Sequence, residues 1–128
     1  LGILAAAALP RFSDLSTDAR RAALSGMAGS IRAAAGIAKS TQLAKGLTSA
    51  QDVTLDGTII QMQAGYPMAE TISAALTDTA GFTVAMVALS TSVVNFTLGG
   101  RANCLVAYTE GVPATGAVYT VTVTSSGC

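Results

Sequence analysis

The chain has 128 residues, of which 51% are hydrophobic and only 11% charged, with zero net charge and no histidine. That length predicts one domain with a modest core. Charge far below the ~25% of an average soluble domain points to a secreted protein or one largely hidden in an assembly. The charge balance shows no nucleic-acid footprint. Without His, the usual general base, most triads and most metal sites are missing. No catalytic, cofactor-binding or metal residue is expected, and the chain is not expected to be an enzyme.

The first nine residues, Leu1-Gly2-Ile3-Leu4-Ala5-Ala6-Ala7-Ala8-Leu9, carry no charge; Pro10 and Arg11 follow. A bilayer-spanning helix needs about twenty apolar residues. The run therefore reads as the end of a longer hydrophobic segment, with no cleavable signal peptide visible. Pro10 predicts a kink or a lapse in helical hydrogen bonding. Ser13, Asp14, Ser16, Thr17 and Asp18 are all capable N-caps for a restart.

Helical patterning continues to about Lys45. Leu24, Met27, Ile31, Ala34, Ala35 and Ala38 recur at steps of three and four, marking one buried face. A helix of that whole length would reach about 65–70 Å at 1.5 Å per residue, more than one small domain requires. Gly26, Gly29 and Gly36 either weaken it or admit another backbone at close range. Gly46 follows Lys45 as a C-terminal cap.

A connecting region comes next, with Asp56-Gly57 as a turn, Thr58–Gln63 as a short strand, Gly65-Tyr66-Pro67 as a second turn, and 68–76 as a short helix. The last third is dense in Val, Thr and aromatics. It predicts strands over 82–89, 93–98, 105–109 and 118–123, with Gly99 to Asn103 as a hairpin connection. Short links imply an antiparallel sheet. The expected fold class is α+β: a long N-terminal helix packed on an antiparallel sheet, with a protruding helical stretch over 1–23 and a globular head over 24–128.

Cys104 and Cys128 are the only thiols. A zinc site would lack ligands, so a disulfide is expected, implying export to an oxidising compartment. Closing a loop of roughly 25 residues should stabilise by about 3–4 kcal/mol in the chain-entropy account.

Charge is segregated along the chain. Through Lys45 there are six cations against two anions; from Gly46 onward, one cation against five anions. Intramolecular balance and attraction between neighbouring copies both fit this pattern. Asp14 and Asp18, like Asp52 and Asp56, read as solvated carboxylates, since no family of oxygen ligands accompanies them. Of the six aromatics, only Phe12 lies on the long helix; the others read as core or sheet residues.

The order of elements, the Leu1–Ala6 run with Pro10, the Phe12, Asp14 and Leu15 positions, and the Asp18-Ala19-Arg20 step together resemble type IV pilins. Gly26-Met27, Gly65-Tyr66-Pro67, Cys104 with Tyr108-Thr109-Glu110, and the ending Thr124-Ser125-Ser126-Gly127-Cys128 are similar to the mannose-sensitive haemagglutinin group of pilins. The resemblance implies a pilin fold and a structural subunit of a type IV pilus, serving surface attachment and adhesion, with motility a further role open to such a filament. Such a subunit would polymerise through Leu1, Ile3, Leu4, Ala6, Ala7, Leu9, Pro10 and Phe12. Its implied partners are copies of itself, with the inner membrane and pilus assembly machinery before polymerisation, and an extracellular filament as its final location. The family's N-methylated aromatic residue and assembly-directing glutamate would lie upstream of Leu1.

Two alternatives remain open from the sequence. One is a minor pilin or a secretion-system pseudopilin. The other is an adhesin subunit binding host or surface glycans through Glu110, Val112, Pro113 and Thr115, a stretch that serves equally as a contact between subunits.

Overall fold

The computed structural model describes the backbone of residues 2–128 and the side chains from residue 16 onward. A single helix, α1 (Gly2–Ala44, 43 residues), leads into eight strands. At 1.5 Å per residue α1 is about 65 Å long. It is one continuous element, with no restart near Ser13 or Ser16. Its end is closed by a Schellman arrangement: Leu47 N–H donates to Gln42 O and Gly46 N–H to Leu43 O, each at 3.0 Å. These bonds satisfy carbonyls that the last turn would otherwise leave open.

Two small hairpins follow. β1 (Val53–Leu55) pairs antiparallel with β2 (Thr58–Ile60) around Asp56-Gly57, and β3 (Met62–Gln63) pairs with β4 (Tyr66–Pro67) around Ala64-Gly65. The larger sheet is a plain antiparallel meander, β5 (Phe82–Met86), β6 (Val93–Leu98), β7 (Leu105–Thr109) and β8 (Thr120–Thr124), in chain order. Gly99 to Asn103 connects β6 to β7, with Arg101 N–H donating to Leu98 O and Cys104 N–H to Arg101 O. The architecture is α+β: a long N-terminal helix packed on antiparallel sheets, with a C-terminal disulfide.

The connecting region departs from its sequence-based outline. The strand expected over Thr58–Gln63 is broken at Gln61, because that residue's backbone is taken by other partners. Thr71 Oγ1 accepts from Gln61 N–H at 3.1 Å, and Gln61 O accepts from Met68 N–H at 2.8 Å. The helix expected over 68–76 is reduced to a 3-10 turn, Ile72–Ala75. Its later bonds have three-residue spacing, Ala74 N–H to Thr71 O and Leu76 N–H to Ser73 O, and extended backbone at Leu76 ends the turn. The expected turn at Gly65-Tyr66-Pro67 lies one residue earlier, with Tyr66 and Pro67 in a strand. Ala64 (φ 53°) and Gly65 (φ 81°) are both left-handed, as a two-residue hairpin requires.

Further on, β5 stops at Met86 rather than Leu89, because Ser90 N–H folds back onto Val87 O and Leu89 sits at φ 65°. The last strand begins at Thr120, since Val118 belongs to a loop whose neck is the Val112–Ala117 bridge.

The core lies between α1 and the sheets. Leu24, Met27, Ile31, Ala34 and Ala35 pack on Ile72, Val94, Phe96, Val106 and Tyr108. Ala38 joins a second cluster with Val53, Ile60 and Met62. On β6 and β7 buried residues alternate, Val94 and Phe96 facing Tyr108 and Val106 across the ladder. Each fully buried Leu, Ile or Phe contributes roughly 1.5–3 kcal/mol of transfer free energy.

Candidate functional site

Two surfaces are candidates for function: the part of α1 outside the core, and the region enclosed by the disulfide. Along α1 the first buried side chain among the described residues is Leu24; those from Ser16 to Ala23 are exposed or only half-buried. The proposed assembly residues Leu1, Ile3, Leu4, Ala6, Ala7, Leu9, Pro10 and Phe12 fall outside the described side chains.

Opposite the core, α1 presents Gly26, Gly29, Ser30, Ala33, Gly36 and Ile37 outward. A Cβ at any of the three glycines would meet no atom within 4 Å, so none serves close backbone approach within this chain. Beside this face lies a shallow groove of about 280 Å³ between α1 and the stretch after the 3-10 turn, lined by Ala33, Ile37, Leu76 and Asp78 among others.

The disulfide is formed: Cys104 and Cys128 are joined by an S–S bond of 2.04 Å. The terminal stretch is held three ways besides. Arg20 Nε donates to Cys128 O at 2.7 Å, Arg101 Nε to Gly127 O at 3.3 Å, and Gly127 N–H to Asn103 O at 2.8 Å. A side chain at Gly127 would collide with the carbonyl of Ala102, so the tail passes the β6–β7 connection only as glycine. The Arg20 bond ties the far end of the chain to the helix just before its first buried residue.

Within the enclosed region the residues named from sequence divide. Val112, Pro113 and Thr115 are exposed, in and around a short 3-10 turn. Glu110 is a correction: it is 7% exposed and faces the interior. Its carboxylate accepts from Ala69 N–H at 2.7 Å and, more loosely, from Gln63 Nε2 at 3.5 Å. Gln63 Nε2 also donates to Gly111 O at 2.8 Å. The pair thus clasps the β3–β4 hairpin to the end of β7. Charge-assisted bonds of this kind make a buried carboxylate tolerable.

Beneath the clasp lies a tyrosine cluster. Tyr108 and Tyr119 stack with ring centroids 5.4 Å apart, Tyr66 meets Tyr119 edge-on at 4.7 Å, and Lys39 Nζ sits 4.3 Å over the Tyr66 ring. The Tyr108 hydroxyl donates to Pro67 O at 2.5 Å. Burial, and then the neighbouring Tyr119, Glu110 and Tyr66, push the Tyr108 phenol well above its ordinary range.

Sequence patterning held two signals that went unread. Gln42, also buried, lies four residues beyond Ala38 on the helix's inner face, where Nε2 donates to Gln51 O at 2.7 Å. Glu110 continues the every-second-residue series of Val106 and Tyr108 on β7. Both polar residues were obscured because periodicity is read from apolar ones.

Chemically, the site residues hold backbone. Asp52 accepts from Met62 N–H, Asp78 from Ala80 N–H and Glu110 from Ala69 N–H. Among the described residues no group of three or more His, Cys, Asp or Glu side chains could hold a metal ion. No helix among them is long and apolar enough to cross a membrane. Compared with protein-family models, curated proteins and solved structures, the chain matches none.

Proposed function

We propose that this chain is the structural subunit of a type IV pilus filament, with a pilin fold in which α1 is the assembly stem and the α+β head covers the outside. The observation that carries this reading is the mismatch between helix and head. α1 has 43 residues, yet among its described side chains burial begins only at Leu24. The sequence N-terminal to that point opens on nine uncharged residues, five of them Ala or Gly.

The mechanism is polymerisation by burial. Placing the apolar run among those of neighbouring copies would supply several kcal/mol per subunit at ~25 cal/mol per Å², before entropy costs. Alanines there would let helices approach closely. Before assembly the same run would associate with the inner membrane, where the assembly machinery collects the subunit. The exposed Val112, Pro113 and Thr115 would face outward, available to a neighbouring head or a surface glycan. Asp52, Asp78 and Glu110 hold backbone N–H groups, which supports a structural role for them.

The test is Ala6→Asp in a pilus-bearing host lacking its own major pilin. The expected result is a disulfide-closed, folded head and no sheared filaments, because a carboxylate buried among helices carries a cost of several kcal/mol. Normal filament yield from this variant would sink the proposal. Copy number in sheared filaments separates a major subunit from a minor pilin or pseudopilin.

A further inference from the structure

The two edges of the four-stranded sheet are finished differently. Beside β8 lies α1, and the helix cations reach across: Arg32 Nη2 is 3.5 Å from Val121 O and Arg20 Nε is 2.7 Å from Cys128 O. Among the described residues no side chain reaches the β5 edge with a hydrogen bond. Gly99 N–H donates to Gly81 O and Val87 N–H to Val93 O, so residues 81, 83, 85 and 87 turn their backbone groups toward β6. The intervening Phe82, Val84 and Met86 therefore turn theirs outward. Phe82 N–H is used within the chain, by Thr79 O at 3.0 Å. The N–H groups of Val84 and Met86 have no partner among the described residues.

Native proteins guard such an edge with lysine, proline, a bulge or a covering element. Phe82-Thr83-Val84-Ala85-Met86 contains no charge and no proline, and its register with β6 runs unbroken from Phe82–Leu98 to Met86–Val94. Just beyond it, Leu89 is fully exposed.

We propose that β5 is a self-pairing edge, on which a second copy of this chain docks antiparallel about a two-fold axis at Val84. The edge is complementary to a copy of itself: its outward N–H and C=O groups lie at Phe82, Val84 and Met86, evenly about Val84, and the strand carries no charge to repel a second copy. In that register Val84 faces Val84, Phe82 faces Met86 and Thr83 faces Ala85, with no like charges opposed. Each unpartnered N–H finds an acceptor: Val84 N–H meets the copy's Val84 O, and Met86 N–H meets the copy's Phe82 O. Phe82 N–H, already used within the chain, faces Met86 O and can stay where it is. Two four-stranded meanders become one continuous sheet.

A five-residue edge is small beside the roughly 20–30 residues a side of a standard interface, so the dimer is weak and depends on concentration. The contact is isologous and closes on itself, so it cannot be a repeat contact of a polar filament. In a filament it would join subunits of separate filaments. It stands or falls independently of the filament reading.

The experiment uses the full chain in mild detergent, which shields the apolar N-terminal run. Thr83→Cys and Ala85→Cys chains are oxidised singly and as a mixture. Directly opposed residues of a non-hydrogen-bonded pair lie about 4.5 Å apart at Cα, within disulfide reach, whereas diagonal ones lie about 7–8 Å apart. The mixture should give several-fold more covalent dimer than either chain alone. Sedimentation of charge variants checks the register without added thiols. Thr83→Lys with Ala85→Lys should weaken association about tenfold or more by opposing like charges, and Thr83→Glu with Ala85→Lys should restore it. Equal cross-linking in single and mixed samples, or undiminished association of the double-lysine variant, overturns the proposal. Peptide mapping of the Cys104–Cys128 bridge reports that each variant is folded.

Discussion

The same helix lives in two environments. From Leu24 to Gln42 it places a buried side chain against the sheets every three or four residues, while from Ser16 to Ala23 it buries none. Helix propensity does not separate the two stretches, since both are rich in alanine. What differs is the partner: the later stretch packs on strands, whereas the earlier one is tied by the Arg20 bond to Cys128 O. Isolated helical turns gain little stability in water without tertiary packing, which is the physical reason for proposing the earlier stretch as a stem that neighbouring copies cover.

The contrast can be broken by mutation. The largest effect is expected in the covered stretch: Ile31→Ala removes a side chain with no exposed surface and should cost about 2–5 kcal/mol in urea unfolding. A loss below about 1 kcal/mol would mean that α1 is not held by this core. Reducing the Cys104–Cys128 bridge should cost about 2–4 kcal/mol, and hydrogen exchange should rise first in residues 110–128. Global exchange at one rate would show that the tail and the core are a single unit.

Alkaline pH probes the tyrosine cluster. The raised Tyr108 phenol stays protonated in the folded chain above pH ~10, where the same group in the unfolded chain ionises. Its contribution is therefore complete below that pH and is lost as pH climbs toward the folded-state value. Tyr108→Phe should flatten the alkaline limb of the stability curve, at a cost of roughly 0.5–1.5 kcal/mol at neutral pH for the lost bond to Pro67 O. An unchanged alkaline limb would contradict the assignment.

Smaller effects sharpen the comparison on the outer face. Gly29→Ala adds a methyl into open space on the helix and should stabilise the head by about 0.5–1 kcal/mol. Loss of filaments with that gain in stability would mark the outer face as a subunit contact. Ala22→Ser in the earlier stretch should shift stability by no more than about 0.5 kcal/mol.

Much of this organisation was legible beforehand. The apolar spacing from Leu24 to Ala38 identified six residues of the inner face, leaving out the equally buried Ala28, and Asp56-Gly57 marked a real hairpin because its residues accept left-handed backbone. Ala64-Gly65 was missed, since alanine at φ 53° has no propensity signal and is imposed by the flanking pairs. The 68–76 stretch keeps only a 3-10 turn, bonded Ala74 N–H to Thr71 O and Leu76 N–H to Ser73 O, because the backbone turns extended at Leu76, a change that no local residue pattern marks. Glu110 reads from the sequence as part of a contact stretch with Val112, Pro113 and Thr115, whereas the β7 alternation and two donors draw it inside.

By itself, then, the sequence determined the local and periodic features: the long helix and its buried stripe, the meander, the cap at Gly46 and the single possible disulfide. Those depend on backbone propensity and on side chains a few positions apart. Tertiary structure alone decided where the buried polar groups find partners, how Gln61 interrupts a strand, and which sheet edge is left bare. Each of these is settled by hydrogen bonds between residues far apart in the chain, and a buried donor or acceptor takes whichever partner the fold brings within reach.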